Sequence, residues 1–365
     1  MSTANVGDAV ARLRLIRSEN VGPVTYRQLI KRFGTAAAAL AALPDLARRG
    51  GGSAPRIGSL PDAERELAAL AAFGAAALFL GTPEYPLLLA QTETAPPVLA
   101  VKGDAALLER PAVAMVGARN ASAAGTRFAR GLASDLASEG LVVVSGLARG
   151  IDAAAHDGAL ERGTVAVIAG GIDITYPPET ADLQRRIGAQ GLVVAEMPFG
   201  TQPQARHFPR RNRIIAGLCA GTVVVEGALR SGSLITARLA AEAGREVMAI
   251  PGSPLDPRAQ GCNQLIREGA TLVQNAADVM EAIGGFIAGQ FRSTPAPQFD
   301  FATPALEAGD AEIARVVSLL SPTPVAIDEL VRLSGLASAS VAAVLLDLEL
   351  AGRLVRHAGG RVAGG

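Results

Sequence analysis

From Val113 onward, short runs of β-branched residues alternate with amphipathic stretches of helical period. The segments VAMVG (113–117), LVVVSG (141–146), TVAVIAGG (164–171), LVVAEMP (192–198), TVVVEGA (222–228), EVMAIPG (246–252) and TLVQ (271–274) are almost continuously apolar. Such runs belong to strands covered on both faces. The helical stretches between them make βαβ units, which require parallel strands and right-handed crossovers. This pattern predicts an α/β fold, a doubly wound, mostly parallel Rossmann-like sheet over residues 81–287. Upstream, apolar positions in residues 8–43 keep helical spacing around a Val21-Gly22-Pro23 turn, which predicts a small helical domain of helix-hairpin-helix shape within residues 1–80. A Gly-containing turn of this kind either offers backbone amides to a DNA phosphate or packs a small domain. Residues 288–309 are Pro-rich without a regular period and predict a linker. Residues 310–365 read helix, turn, helix, turn, helix and short β wing, the order of a winged helix.

Composition fits this picture. A chain of 365 residues has room for two or three domains, and 49% hydrophobic against 19% charged residues describes a folded protein with a sizeable core. The formal net charge is zero, so a polyanion must be held by a local basic cluster and not by the field of the whole molecule. Apart from Lys31 and Lys102, the basic side chains are arginines. Cys219 and Cys262 form no CxxC pair and suit a reduced compartment. The most apolar stretch, Ala68 to Leu80, is broken by Gly74 and too short for a bilayer, so a cytoplasmic protein without membrane contact is expected.

In a parallel sheet, ligands gather where strands pass into helix N-termini. Four such loops are rich in Gly, Ser, Asn and Arg. The first holds Gly117, Arg119, Asn120, Ser122 and Gly125. A dinucleotide fingerprint would need a glycine near Arg119, whose guanidinium fork instead suits an external phosphate. The second loop holds Ser145, Gly146 and Gly150, followed by Asp152, placed to cap a helix, and His156, a pair read as structural packing. The third, Phe208-Pro209-Arg210-Arg211-Asn212-Arg213, is the densest basic signal. Its alternative is a solvated charged face or an internal salt-bridge cluster, weakened by the absence of acids nearby in sequence and by the strand-end position of the loop. The fourth, Ser231-Gly232-Ser233 after Glu226, can donate to phosphate or simply cap a helix. A GxxxxGK[ST] loop, a GxSxG elbow and ligand-spaced His or Cys pairs are absent, so neither a cofactor, a metal nor a catalytic residue is expected.

In this order, YP (85–86), PPVLAVKG (96–103), VGARNASAAG, VVSGLARGIDAAAH, TVAVIAGGIDITYP, FPRRNRIIAG, SGSLITA, PGSP and GCNQLI resemble the DNA processing protein A (DprA, or Smf) family across about residues 83–274. The resemblance implies a non-enzymatic protein that binds and protects single-stranded DNA, forms a homodimer through its Rossmann-like domain and loads the RecA recombinase in natural transformation or recombination. It places phosphate contacts at Arg119, Ser145, Gly146 and the arginines of FPRRNR, with Ser231 to Ser233 at the edge. Ala118 and Ala124 depart from the family's common Ser/Thr and aromatic, and few aromatics are available for base stacking. A second reading is a nucleotide-processing enzyme similar to phosphoribohydrolases, whose PGGxGTxxE is replaced here by PGSP. An oxidoreductase lacks its glycine fingerprint. The expected reading helix of the winged helix, Ser338 to Leu350, carries no basic residue, which favours a protein-contact or structural role over groove reading.

Overall fold

The computed structural model describes residues 3–290, 309–357 and 359–365. Most of the expected linker, residues 288–309, lies outside the described residues. The chain forms two compact units, one built from both ends of the sequence (1–65 and 297–365) and one from residues 66–296.

The N-terminal part of the first unit is three helices, α1 (Thr3–Ile16), α2 (Pro23–Phe33) and α3 (Ala36–Arg49). Pro23 starts α2 where its missing N–H costs nothing, and Thr35 caps α3 by accepting from the Ala38 amide at 3.2 Å. Leu15, Tyr26, Leu29, Leu43 and Leu46 pack between them.

The second unit contains α4 (Leu60–Ala72) from about residue 66, then β1 (Ala76–Phe79), α5 (Leu87–Ala90), β2 (Val98–Gly103), β3 (Ala112–Val116), α6 (Ala123–Ser138), β4 (Val142–Ser145) and α7 (Ile151–Ala159). It continues through β5 (Thr164–Gly171), α8 (Ala181–Gln190), β6 (Leu192–Met197), α9 (His207–Leu218), β7 (Gly221–Val224), α10 (Gly232–Glu242), β8 (Glu246–Ala249), α11 (Gln260–Arg267), β9 (Thr271–Leu272) and α12 (Ala276–Gln290). The nine strands lie in the order β1-β2-β6-β5-β4-β3-β7-β8-β9. Every strand from β3 onward pairs in parallel with its neighbours in the seven-strand block, while β2 joins β6 antiparallel and β1 joins β2 antiparallel. The seven strands expected from the apolar runs are present; β1 and β2 extend the sheet, so sheet residues begin at Ala76. Alternate strand residues serve two cores. Ala114, Val116, Val144, Val165 and Val194 meet α9, α10 and α11 on one face, and Val113, Met115, Val143 and Val223 meet α6, α7 and α12 on the other. Chain order reverses at β3, because β4 flanks it on one side and β7 on the other, which opens a crevice above the carboxyl ends of β3 and β7.

The C-terminal part of the first unit is α13 (Asp310–Leu319), β10 (Val325–Ala326), α14 (Ile327–Ser334), α15 (Ser338–Leu350), β11 (Leu354–His357) and β12 (Arg361–Gly364). Its sheet order β10-β12-β11 completes a winged helix. Among the described residues no single helix is long and apolar enough to cross a membrane.

Candidate nucleic-acid interface

The loop between β3 and α6 is fixed by the chain's own carboxylate. Ser122 caps α6, its Oγ accepting from the Gly125 amide at 2.8 Å and donating to Glu226 Oε1 at 2.6 Å, while the Ser122 amide donates to Glu226 Oε2 at 2.9 Å. Glu226 therefore fills the anion position at the start of α6, where open amides and the helix dipole favour negative charge. A Cβ at Gly125 would fall 2.5 Å from that carboxylate, and one at Gly117 2.6 Å from Ile151. Ser122, Gly125 and Gly117 thus build the loop. Arg119 and Asn120 are left exposed at its tip.

The loop between β4 and α7 corrects two expectations. Ser145 is fully buried and its Oγ donates to the Met115 carbonyl at 2.6 Å on the adjacent strand, so the hydroxyl does not reach a ligand. Asp152 does not cap α7 either. It accepts from the Gly146 and Ala148 amides at 3.2 and 3.4 Å and ties the loop back onto the helix. Gly150, at φ 80°, is needed on two counts: L residues are strained there, and a Cβ would sit 2.2 Å from the Ala118 carbonyl. Thr164 Oγ1 donates to the Val143 carbonyl at 2.8 Å and is within 2.7 Å of His156 Nδ1, leaving it to accept from a protonated Nδ1. Burial, and then the charge of Arg211, push the pKa of this histidine down to about 3. His156 is a neutral packing residue, as read from the sequence.

Helical geometry divides the FPRRNR arginines. Residues three and four apart share a face, so Phe208, Arg211, Asn212 and Ile215 turn toward the crevice. Arg213 faces away and bonds the Glu196 carboxylate and the Thr94 carbonyl, with Arg210 3.6 Å from the same carboxylate. The internal salt-bridge reading therefore holds for Arg213. Its acid, on β6, is remote in sequence. Arg210 remains half-exposed beside it.

Arg211 is different. It is only 7% exposed, and its Nε has no hydrogen-bond partner among the described residues. Burial lowers its pKa to about 10, against the pull of buried Asp152 and with the repulsion of Arg119. Desolvation likewise raises the pKa of Asp152, opposed first by Arg211 and then by the loop amides. Gly146 makes room for this guanidinium, since a Cβ there would lie 1.4 Å from Arg211 Nη1. Arg119 stacks over the Phe208 ring at 5.2 Å, and Tyr176 lies 5.8 Å from Phe208.

Arg119, Phe208 and Arg211 form a wall shared by two depressions. A cleft of about 500 Å³ also holds Asn120, Asn212, Arg230, Arg258 and Ser231 to Ser233. A smaller one of about 250 Å³ holds Gly146, Arg149, Tyr176, Pro177 and Pro178. Ser231 caps α10 by accepting from the Ser233 amide at 3.3 Å, and the two hydroxyls lie 2.7 Å apart at the cleft edge. The structure thus brings together Arg119, Asn120, Arg211, Asn212, Ser231, Gly232 and Ser233, with Gly146 beneath. Phe208, Tyr176, Arg149, Arg230 and Arg258 join them unforeseen. Phe208, Arg149 and Tyr176 stood inside quoted motifs, but nothing local to Arg230 or Arg258 marked them. Among the described residues no cluster of His, Cys, Asp or Glu could hold a metal ion.

Fold and site define a class: a Rossmann-like protein whose switch-point crevice presents arginine, amide and hydroxyl donors instead of a dinucleotide fold. Sequence comparison is consistent across the chain, with matches to the DNA recombination-mediator protein A family over residues 76–284, a DprA-like N-terminal HHH domain over 7–69 and a DprA winged helix domain over 301–360. The chain belongs to the DNA recombination-mediator protein A (DprA/Smf) family. It is 50% identical over 198 residues to DNA processing protein DprA of Streptococcus pneumoniae, covering 54% of this chain and 70% of that one. It is 37% identical over 281 residues to protein Smf of Escherichia coli, covering 76% and 74%. The solved structure of the S. pneumoniae DprA superposes with a TM-score of 0.57 at 44% identity, over 61% of this chain and 77% of that one. A structure of DNA processing protein A from Helicobacter pylori, described for its single-stranded DNA binding mode, gives 0.51 at 27% identity, over 60% and 96%.

Proposed function

We propose that this chain binds single-stranded DNA along the crevice above β3 and β7, with Arg119 and Arg211 as the principal phosphate contacts. Asn120, Arg210, Asn212 and Ser231 to Ser233 flank them. The observation that carries the reading is Arg211: a guanidinium almost fully buried, with an unpartnered Nε, at the wall of an open cleft. Asp152 offsets its charge without a hydrogen bond at Nε, and a buried donor left unsatisfied is costly until an anionic acceptor completes it. Phosphate supplies that anion, and Arg119 beside it supplies a second fork. Phe208 and Tyr176 add stacking surface for bases in the adjoining depression.

The same reading covers the chain's place in recombination. The protein acts without turnover: it protects incoming single strands, forms a homodimer through the Rossmann-like domain and loads the RecA recombinase in the cytoplasm. Of the carboxylates at and behind the crevice, Glu226 is committed to Ser122, Asp152 to the Gly146 loop, and Glu179 in the smaller depression to Arg149 at 3.2 Å, which disfavours the phosphoribohydrolase alternative. Fluorescence anisotropy with an oligothymidylate and a duplex of equal length, each over a salt series, tests the binding. Single strands should bind more tightly, with log K falling by about 0.7 per neutralised phosphate against log salt. Equal affinity for duplex, or affinity indifferent to salt, would overturn the proposal.

A further inference from the structure

The terminal unit joins modules from opposite ends of the sequence, and the joint is made by the helix that a winged helix would use to read DNA. One side of α15 fills the winged helix's own core through Val341, Val344, Leu345 and Leu348. The other side sends Leu346 and Leu350 into the core of α1–α3. Between those two leucines Asp347 is 1% exposed, with its carboxylate 3.8 Å from Arg32 and 3.6 Å from Arg49. Side chains also reach across to main-chain carbonyls. Asn20 Nδ2 donates to the Leu350 carbonyl at 3.2 Å, and Arg353 Nη1 donates to the Gly50 carbonyl at 3.0 Å. Glycine is required on the N-terminal side, since a Cβ at Gly50 would lie 2.1 Å from the Asp347 carbonyl oxygen and one at Gly52 2.7 Å from Ala351 Cα.

A helix reads a groove through exposed donors that reach base edges and cations that meet phosphates. Here the solvent-facing positions of α15 are Ser338, Ala339 and Ala342, and its only charges are Asp347 and Glu349. Glu349 is itself held by Arg356 at 2.8 Å. The face that could be large enough to recognise anything is already occupied.

We propose that α15 is a protein-docking helix whose partner is the N-terminal helical module of this chain, locked by Asp347 between Arg32 and Arg49, and that the winged helix is thereby withheld from DNA reading. The proposal is independent of the crevice assignment. It is tested on the full chain carrying a specific protease site inserted after Gln298. After cleavage at micromolar protein, the C-terminal fragment should co-elute with the remainder in gel filtration. Arg49→Glu should increase its release at least tenfold, and pairing Arg49→Glu with Asp347→Arg should restore retention, which separates loss of the lock from misfolding of either module. Hydrogen exchange of α15 should be the same with and without single-stranded or duplex DNA. Free separation of the parent fragments, or protection of α15 by either DNA, would overturn the proposal.

Discussion

Arg119→Ala isolates the proposed phosphate contact from the fold. The side chain is exposed and its resolved contact is the stack on Phe208, a cation–π interaction of about 0.5–1 kcal/mol at such a site. Folding should therefore lose at most that much, a shift of a few degrees in Tm for a unit of this size. DNA binding should lose far more. A charge-assisted hydrogen bond to phosphate contributes about 1.5–3 kcal/mol, which converts to roughly a 10- to 150-fold weaker Kd at low salt. Removing one cation should also flatten the plot of log K against log salt by about 0.7. Arg211 also gains slightly, because the like charge that depresses its pKa is gone. Anisotropy at four salt concentrations and a thermal melt on the same preparation measure all three quantities. A Kd within twofold of the parent with an unchanged salt slope would refute the reasoning, and so would a collapsed melt.

Gly146→Ala should weaken single-strand binding at least tenfold with little loss of Tm, because its Cβ displaces the Arg211 guanidinium and not the backbone; equal binding by anisotropy would contradict this. Arg213→Ala should leave affinity nearly unchanged yet destabilise the fold by about 1.5–3 kcal/mol in urea titration, since the largely buried Glu196 loses its hydrogen-bonded partner and keeps only the looser Arg210 at 3.6 Å. His156 is held neutral, down to a pKa of about 3, whereas the unfolded chain takes up a proton near 6.5. Its stabilising contribution is thus complete above pH 6.5 and is lost on acidification toward pH 3 at up to about 1.4 kcal/mol per pH unit. Urea midpoints for the parent and His156→Gln at pH 7 and 4.5 should show a smaller acid loss in the variant.

The central sheet was legible because strands buried on both faces are written as apolar runs. The two antiparallel strands were not: Ala76–Phe79 continues an Ala-rich helical stretch, and Val98–Gly103 follows a Pro-Pro pair that reads as loop. Arg119 stood out by occupying a glycine's place in the first loop. Ser145 misled because a polar residue at a strand end looks ligand-facing, whereas its acceptor is a carbonyl 30 residues earlier in the neighbouring strand. The sorting of Arg211 from Arg213 likewise depends on Glu196, which sequence distance hides and the β6–α9 packing supplies. The adjacent rings of Phe208 and Tyr176, 5.8 Å apart, were discounted from low aromatic content and from Ala124 standing where an aromatic is common.

The unit formed by the two chain ends also sets an order of events during synthesis. The N-terminal helices leave the ribosome first, yet Leu346 and Leu350, which complete their core, follow some three hundred residues later. At about 5–20 residues per second the gap is roughly 15–60 s. For that interval the nascent helices carry an uncovered apolar face while the whole central sheet is made and folds. The sheet is in effect an insertion that must finish before its flanks can close. Interrupted translation, or proteolytic loss of the C-terminal segment, should therefore yield a product with an intact Rossmann-like domain and a sticky N-terminus, prone to self-association and to chaperone capture.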